Sequence, residues 1–166
     1  MHGGISQKIN TIEAIRKTKK PENIPDEGLL CDLMWADPEK AQRDTYEFNS
    51  SRGVGVTFNE RAVEDCCNKL DIDLISRSHQ VVEDGYEFFA DRRLVTIFSA
   101  PGYMGDSDND GAMMDVDETL MCKFIKVKCE NKKVGGFTKK ATMTNFNRGG
   151  GAAGRGALKG GYGSFY

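Results

Sequence analysis

The residues able to do chemistry in this 166-residue chain are few, and only two of them are histidines, His2 and His79. His79 follows Leu74-Ile75-Ser76-Arg77-Ser78, a short run with strand character. It therefore emerges at the carboxyl end of a strand, where ligands and reacting groups are commonly presented. A neutral imidazole there is a candidate metal ligand, although a packing role is the commoner outcome for a lone histidine. His2 precedes Gly3-Gly4, which lets backbone approach a ligand or a second metal ligand closely. Arg52-Gly53 follows the polar loop Asn49-Ser50-Ser51. Its guanidinium could project into a cleft and grip a phosphate by two parallel hydrogen bonds, or simply stand solvated. Tyr103 lies in Ser99-Ala100-Pro101-Gly102-Tyr103-Met104-Gly105-Asp106, a turn-rich loop directly after a strand and beside any site at that sheet edge. In Trp35-Ala36-Asp37-Pro38 an aromatic ring and a carboxylate are held together, with Pro38 excluding helical backbone at Asp37. An Asx-type turn would account for the same residues.

The elements that must position these side chains are legible in the spacing of apolar residues. Asn10 followed by Glu13 forms a capping box, Ile12 and Ile15 share a face, and Pro21 ends a short helix. A second helix starts at the cap Asn59, carries Ala62, Val63, Cys66, Cys67 and Leu70 along one stripe, and stops before Asp71. From Ile72 onward short runs predict strands over 72–76, 80–82, 85–89, 94–99, 112–116 and 120–128. Asp84-Gly85 reads as a hairpin turn between two of them, and Asp91-Arg92-Arg93 as the turn into the next. Helices early and strands late predict half of a layered α/β sandwich.

Composition bounds the rest. With 39% apolar residues and a net charge of -2, the chain fits one domain of ordinary size and is no bulk polycation. No stretch reaches the apolar length needed to cross a bilayer, and the amino end does not read as a secretory signal. A reducing compartment, cytoplasmic or nuclear, is the expectation. The five cysteines, Cys31, Cys66, Cys67, Cys122 and Cys129, lack a CxxC pair and read as buried thiols. Charge is unevenly spread: residues 131–166 hold seven Lys and Arg and no acid, leaving 16 basic against 25 acidic residues in the first 130. Eight of the nineteen glycines fall between Gly149 and Gly163, so 131–166 is expected to be a basic, Gly-rich disordered tail and 1–130 the folded part.

Together the segments Leu29-Leu30-Cys31-Asp32-Leu33, Trp35-Ala36-Asp37-Pro38, Arg52-Gly53-Val54, Ser78 to Phe89, Ser99-Ala100-Pro101 and Gly111-Ala112-Met113-Met114 resemble the phosphoprotein phosphatase family, most closely its protein phosphatase 1 group. The similarity runs from His2 to about Phe124, roughly the carboxyl half of the family's catalytic domain. It implies an α/β fold, the carboxyl half of a calcineurin-like metallophosphoesterase β-sandwich, and hydrolysis of phosphoserine and phosphothreonine in phosphoprotein substrates. It also implies two divalent metal ions, manganese or iron and zinc, that activate a water and clamp the phosphoryl group. His2 and His79 match metal ligands, Arg52 a phosphate-gripping arginine, Tyr103 a loop residue lining the site, and Asp37 an acidic residue beside the cleft.

The resemblance implies a second site. In the protein phosphatase 1 group a hydrophobic channel docks regulatory subunits through Arg-Val-x-Phe peptides that add a strand to a sheet edge. Leu74, Phe88, Cys122 and Phe124 match its walls, with Asp73 and Glu118 placed to attract a basic peptide; ordinary core packing would use the same residues. The family's other metal-binding motifs, of the Gly-Asp-x-His and Gly-Asn-His-Glu type, do not occur in this chain. Weak or absent metal binding and little activity of the chain alone are therefore expected. Two explanations follow: a piece of a longer phosphatase, or a noncatalytic decoy that keeps the docking channel. RNA binding by the Arg-Gly-Gly tail is a third, for the tail alone. Gly102, Met104 and Ser107 depart from the group's usual residues in the loop around Tyr103, as do Ser50-Ser51 before Arg52.

Overall fold

The computed structural model describes residues 1–21 and 23–129 with their side chains, and residues 141–146 as backbone. Helix α1 (Ile12–Arg16) is one turn long, and its cap is Thr11, whose Oγ1 accepts the Ala14 N–H at 3.1 Å. Asn10 is not the cap because its Oδ1 accepts from Lys69 Nζ at 2.8 Å. A helix absent from the sequence reading, α2 (Leu29–Trp35), buries Cys31, Asp32 and Leu33. It ends at Ala36, whose extended backbone leads into β1 (Asp37–Pro38). Strands β2 (Tyr46–Phe48) and β3 (Val56–Phe58) complete a sheet ordered β1-β3-β2, with β1 parallel and β2 antiparallel to β3. The loop between β2 and β3 carries Arg52.

Helix α3 (Glu60–Leu70) has the expected bounds. Asn59 Oδ1 accepts the Ala62 N–H at 3.1 Å, and Asp71 stops the helix in the left-handed region at φ 53°. The buried stripe Ala62, Val63, Cys66 and Cys67 packs with Ile5, Ile9, Leu33, Phe58, Ile75, Phe89 and Leu94 into the core. Phe58 and Phe89 meet edge-on at 6.4 Å.

The next sheet contains β4 (Ile75–Arg77), β5 (Tyr86–Phe89) and β6 (Leu94–Ile97) in the order β4-β6-β5, with β4 parallel to β6. The expected strand over 80–82 does not form, so Asp84-Gly85 is not a hairpin between strands. Gln80 is drawn to the Arg77 side chain instead, and Gly85 N–H closes a tight turn onto Val82 O at 3.1 Å. The hairpin is the one after β5, where Ala90, Asp91 and Arg92 all have positive φ before β6 starts.

The third sheet is antiparallel: β7 (Gly111–Val116), β8 (Cys122–Val127) and β9 (Ala141–Phe146), with β8 in the middle. Here the fold departs from expectation, because six residues of the segment read as unstructured form β9. Their Thr-Met-Thr-Asn-Phe wording suits a strand once β8 offers an open edge. The rest of the expected disordered tail, including its Arg-Gly-Gly elements, lies outside the described residues. Among the described residues no helix is long and apolar enough to cross a membrane. Of the cysteines, Cys31, Cys66 and Cys67 are buried as expected, whereas Cys122 and Cys129 are only half-buried.

Candidate functional site

His2 is placed by backbone. The chain start runs beside β4, with the Met1 ammonium donating to Ser76 O at 3.1 Å and Ser78 N–H to His2 O at 3.0 Å. On the other side Gly3 N–H donates to Leu33 O at 2.8 Å. A Cβ on Gly3 would stand 2.5 Å from the Met34 carbonyl carbon, so only glycine permits this approach to α2. His79 follows β4 at φ 70°, a left-handed conformation unusual outside glycine, and marks a strained turn at the strand's end. The two imidazoles meet with His79 Nδ1 and His2 Nε2 2.9 Å apart, and Trp35 lies edge-on to His79 at 5.3 Å.

Arg52 comes to the same point from the β2–β3 loop. Buried Asn49 fixes that loop by accepting the Arg52 N–H on Oδ1 at 3.1 Å. Arg52 Nε donates to Asp37 Oδ2 at 3.0 Å, and its Nη2 to His79 O at 3.3 Å. Asp37 is thus a holder of cations. Its Oδ2 also accepts from Asn49 Nδ2 at 3.1 Å, and its Oδ1 accepts from Arg77 Nη2 at 2.7 Å. Burial alone would raise the Asp37 pKa, but the hydrogen bonds from Arg52, Arg77 and Asn49 hold the carboxyl below its ordinary value.

The structure therefore brings together four of the residues singled out in the sequence: His2, His79, Arg52 and Asp37. Sequence reasoning missed Arg77, the largest fully buried side chain, and Gln80, which accepts from it. The available signal was parity: Arg77 is two residues from Ile75 in a strand, so it shares the inward face and must be paired there. Tyr103 is not joined to this cluster by any described bond or ring contact. It sits in a single 3-10 turn, Tyr103–Gly105, packs edge-on against Phe98 at 5.0 Å and is 44% exposed.

Both imidazoles are held neutral. Burial, followed by the charge of Arg52, lowers the His79 pKa to about 4. Burial and then Arg77 lower that of His2. Neutral imidazole is the form that ligates metal, and His79 Nε2 is buried without a hydrogen-bond partner among the described residues. Yet two nitrogens fall short of the three or four protein ligands that hold an ion such as zinc. Asp37 has both oxygens committed, and no group of three His, Cys, Asp or Glu among the described residues could hold a metal ion. These residues supply part of a ligand set and do not complete one.

Of the expected docking residues, Phe88 lies on β5 and Cys122 and Phe124 on β8, while Asp73, Leu74 and Glu118 lie outside the strands. Phe88 and Phe124 meet edge-on at 5.7 Å, and Tyr86 stacks on Phe124 at 4.1 Å. Phe124 is almost wholly buried, while Leu74, Phe88 and Cys122 are half-buried and Asp73 and Glu118 exposed. Strand β8 is flanked by β7 on one edge and β9 on the other, so a peptide strand could pair with β8 itself only by displacing one of them.

Residues 1–83 match the calcineurin-like phosphoesterase family. A solved protein serine/threonine phosphatase from Saccharomyces cerevisiae, described as similar to human phosphatase PP5, superposes with a TM-score of 0.61 at 23% identity. The superposition covers 88% of this chain and 42% of that one, so this chain spans less than half of its length. At this identity the likeness speaks for the fold.

Proposed function

The chain belongs to the calcineurin-like phosphoesterase family, and from that premise we propose that it supplies the phosphate-gripping face of a metal-dependent protein serine/threonine phosphatase. The family uses divalent metal ions, here proposed to be manganese or an iron and zinc pair, which when bound supply the activated water and neutralise phosphoryl charge. The observation that supports the reading is the delivery of Arg52 beside two neutral imidazoles by three separate segments of chain. Arg52 Nε is committed to Asp37 and Nη2 to the His79 carbonyl, which fixes the plane of the guanidinium and leaves Nη1 for an incoming anion. A preset cation of this kind stabilises a dianionic phosphate without reorganising as it binds. Release of phosphate from a phosphothreonine peptide, with manganese present, tests the proposal. Arg52→Ala is expected to lower the rate by about 100-fold, the usual worth of one preorganised donor. A rate above background that is indifferent to both Arg52→Ala and His79→Ala would exclude this site.

A second reading, docking of regulatory subunits that carry Arg-Val-x-Phe segments, is supported by the contact of half-buried Phe88 with Phe124 beside β8. It includes the decoy role and needs no metal. Calorimetry with such a peptide should show heat and, where the peptide pairs with β8, faster amide exchange in the strand it displaces. No heat from a folded sample ends this reading.

A further inference from the structure

We infer that Arg77 is the positioning residue of the site, a group whose bonds reach all three segments that carry Arg52, His2 and His79; the inference rests on the phosphate-gripping reading above. Its side chain is fully buried, and burying a guanidinium costs more than packing an apolar side chain of similar volume. Stability is therefore a poor reason for its presence, and its bonds supply a better one. Arg77 Nε donates to Gly3 O, Nη1 to Gln80 Oε1 at 2.8 Å, and Nη2 to both Ala36 O at 3.0 Å and Asp37 Oδ1 at 2.7 Å.

Each of these acceptors adjoins or holds a site residue. Gly3 is next to His2, Gln80 is next to His79, and Asp37 grips Arg52 through its second oxygen. The three segments come from the chain start, the β2–β3 loop by way of Asp37, and the turn after β4, and no regular ladder joins all three. The planar fork of one guanidinium does so with fixed angles. A lysine at the same position would keep the charge but could not reproduce the fork. Arg77 touches no phosphate in this arrangement, so its effect on an anion would pass entirely through Asp37 and Arg52.

The test uses the full chain and Arg77→Lys, with Val63→Ala as a control that lowers stability from a core position on α3. Two readouts separate positioning from general stability: the hydrogen-exchange rate of the Arg52 Nε–H by nitrogen-15 NMR, and the affinity for inorganic phosphate by phosphorus-31 NMR. In Arg77→Lys the Arg52 Nε–H should lose its protection and phosphate affinity should fall about tenfold, as is usual for loss of an outer-shell partner. Val63→Ala, at an equal or lower melting temperature, should change neither. Equal effects in the two variants, or no effect in Arg77→Lys, would overturn the inference. Should Arg77→Lys not fold, Gln80→Met leaves the guanidinium in place and cuts one tie. It should speed exchange of the backbone N–H at position 80 while Arg52 Nε–H stays protected; an unchanged N–H at that position would count against Arg77. A wild-type chain that binds no phosphate defeats the phosphate-gripping reading alone, because the Nε–H readout needs no anion.

Discussion

Asp37 carries more of the site than its modest place in the sequence suggests. It neutralises a fully buried arginine and orients a partly exposed one, so Asp37→Asn leaves Arg77 charged and buried without a counter-charge. Breaking such a pair from one side costs roughly 3 kcal/mol, which urea denaturation at neutral pH would measure. The pH dependence follows from depressed pKa values at His79, His2 and Asp37. His79 is held neutral in the fold, with its pKa down from 6.5 to about 4. Its contribution is therefore complete above pH 6.5 and is lost as pH falls toward about 4. Asp37, below its ordinary 3.8, contributes above that value and loses its contribution as pH falls further. Stability should thus decline in two stages on acidification. His79→Asn, which tolerates the left-handed backbone, should shrink the upper stage, to which His2 also contributes, and leave the lower one. An upper stage of unchanged size in His79→Asn would show that this imidazole is not a group responsible. Of these residues, His79, Arg52 and Asp37 could be picked out from loop and strand ends, but their mutual bonds could not, because they are 15 to 27 positions apart in the chain.

At the scale of elements, the short pieces around the site are fixed by close approach and capping. Gly3→Ala would drive a methyl group into the backbone of α2, pushing His2 away from His79. The expected result is a loss of 1 to 3 kcal/mol, approximately the usual penalty for overpacking, and disappearance of the imidazole contact in NMR spectra. Asn59→Ala removes the cap of α3 without touching the site and should cost about 1 kcal/mol with no change in the Arg52 environment. Helix α3 was legible to the residue because its stripe, cap and stop all agree. Helix α2 was not, because a seven-residue helix offers less than two turns of periodicity and is held mainly by what Gly3, Ser6 and Lys8 donate to it. The expected strand at 80–82 failed for a related reason: its residues have strand-like types, but the side chain of Gln80 and the turn at Gly85 are engaged elsewhere.

For the whole molecule, β9 is the feature that local pattern argued against. Its pairing with β8 predicts that amides over 122–127 exchange slowly on both edges of the strand. Replacing Met143 and Thr144 with proline removes adjacent donors of opposite parity and should release one edge only. Exchange in β8 that is indifferent to the double replacement would argue that β9 does not pair there in solution. Residue type and spacing, by themselves, determined the α/β class, the α3 helix, most strands after residue 72, and the family resemblance, because these depend on local periodicity and on motifs read in order. Only the tertiary structure decided that Arg77 bonds to three separate segments, that Asp37 faces two arginines, that Tyr103 packs on Phe98 and that β8 has a partner on each edge. Those outcomes are settled by which distant segments lie within hydrogen-bond reach. A buried charge or an open strand edge takes the partner that the fold brings to it, and neighbouring residues in the chain do not specify which one that is.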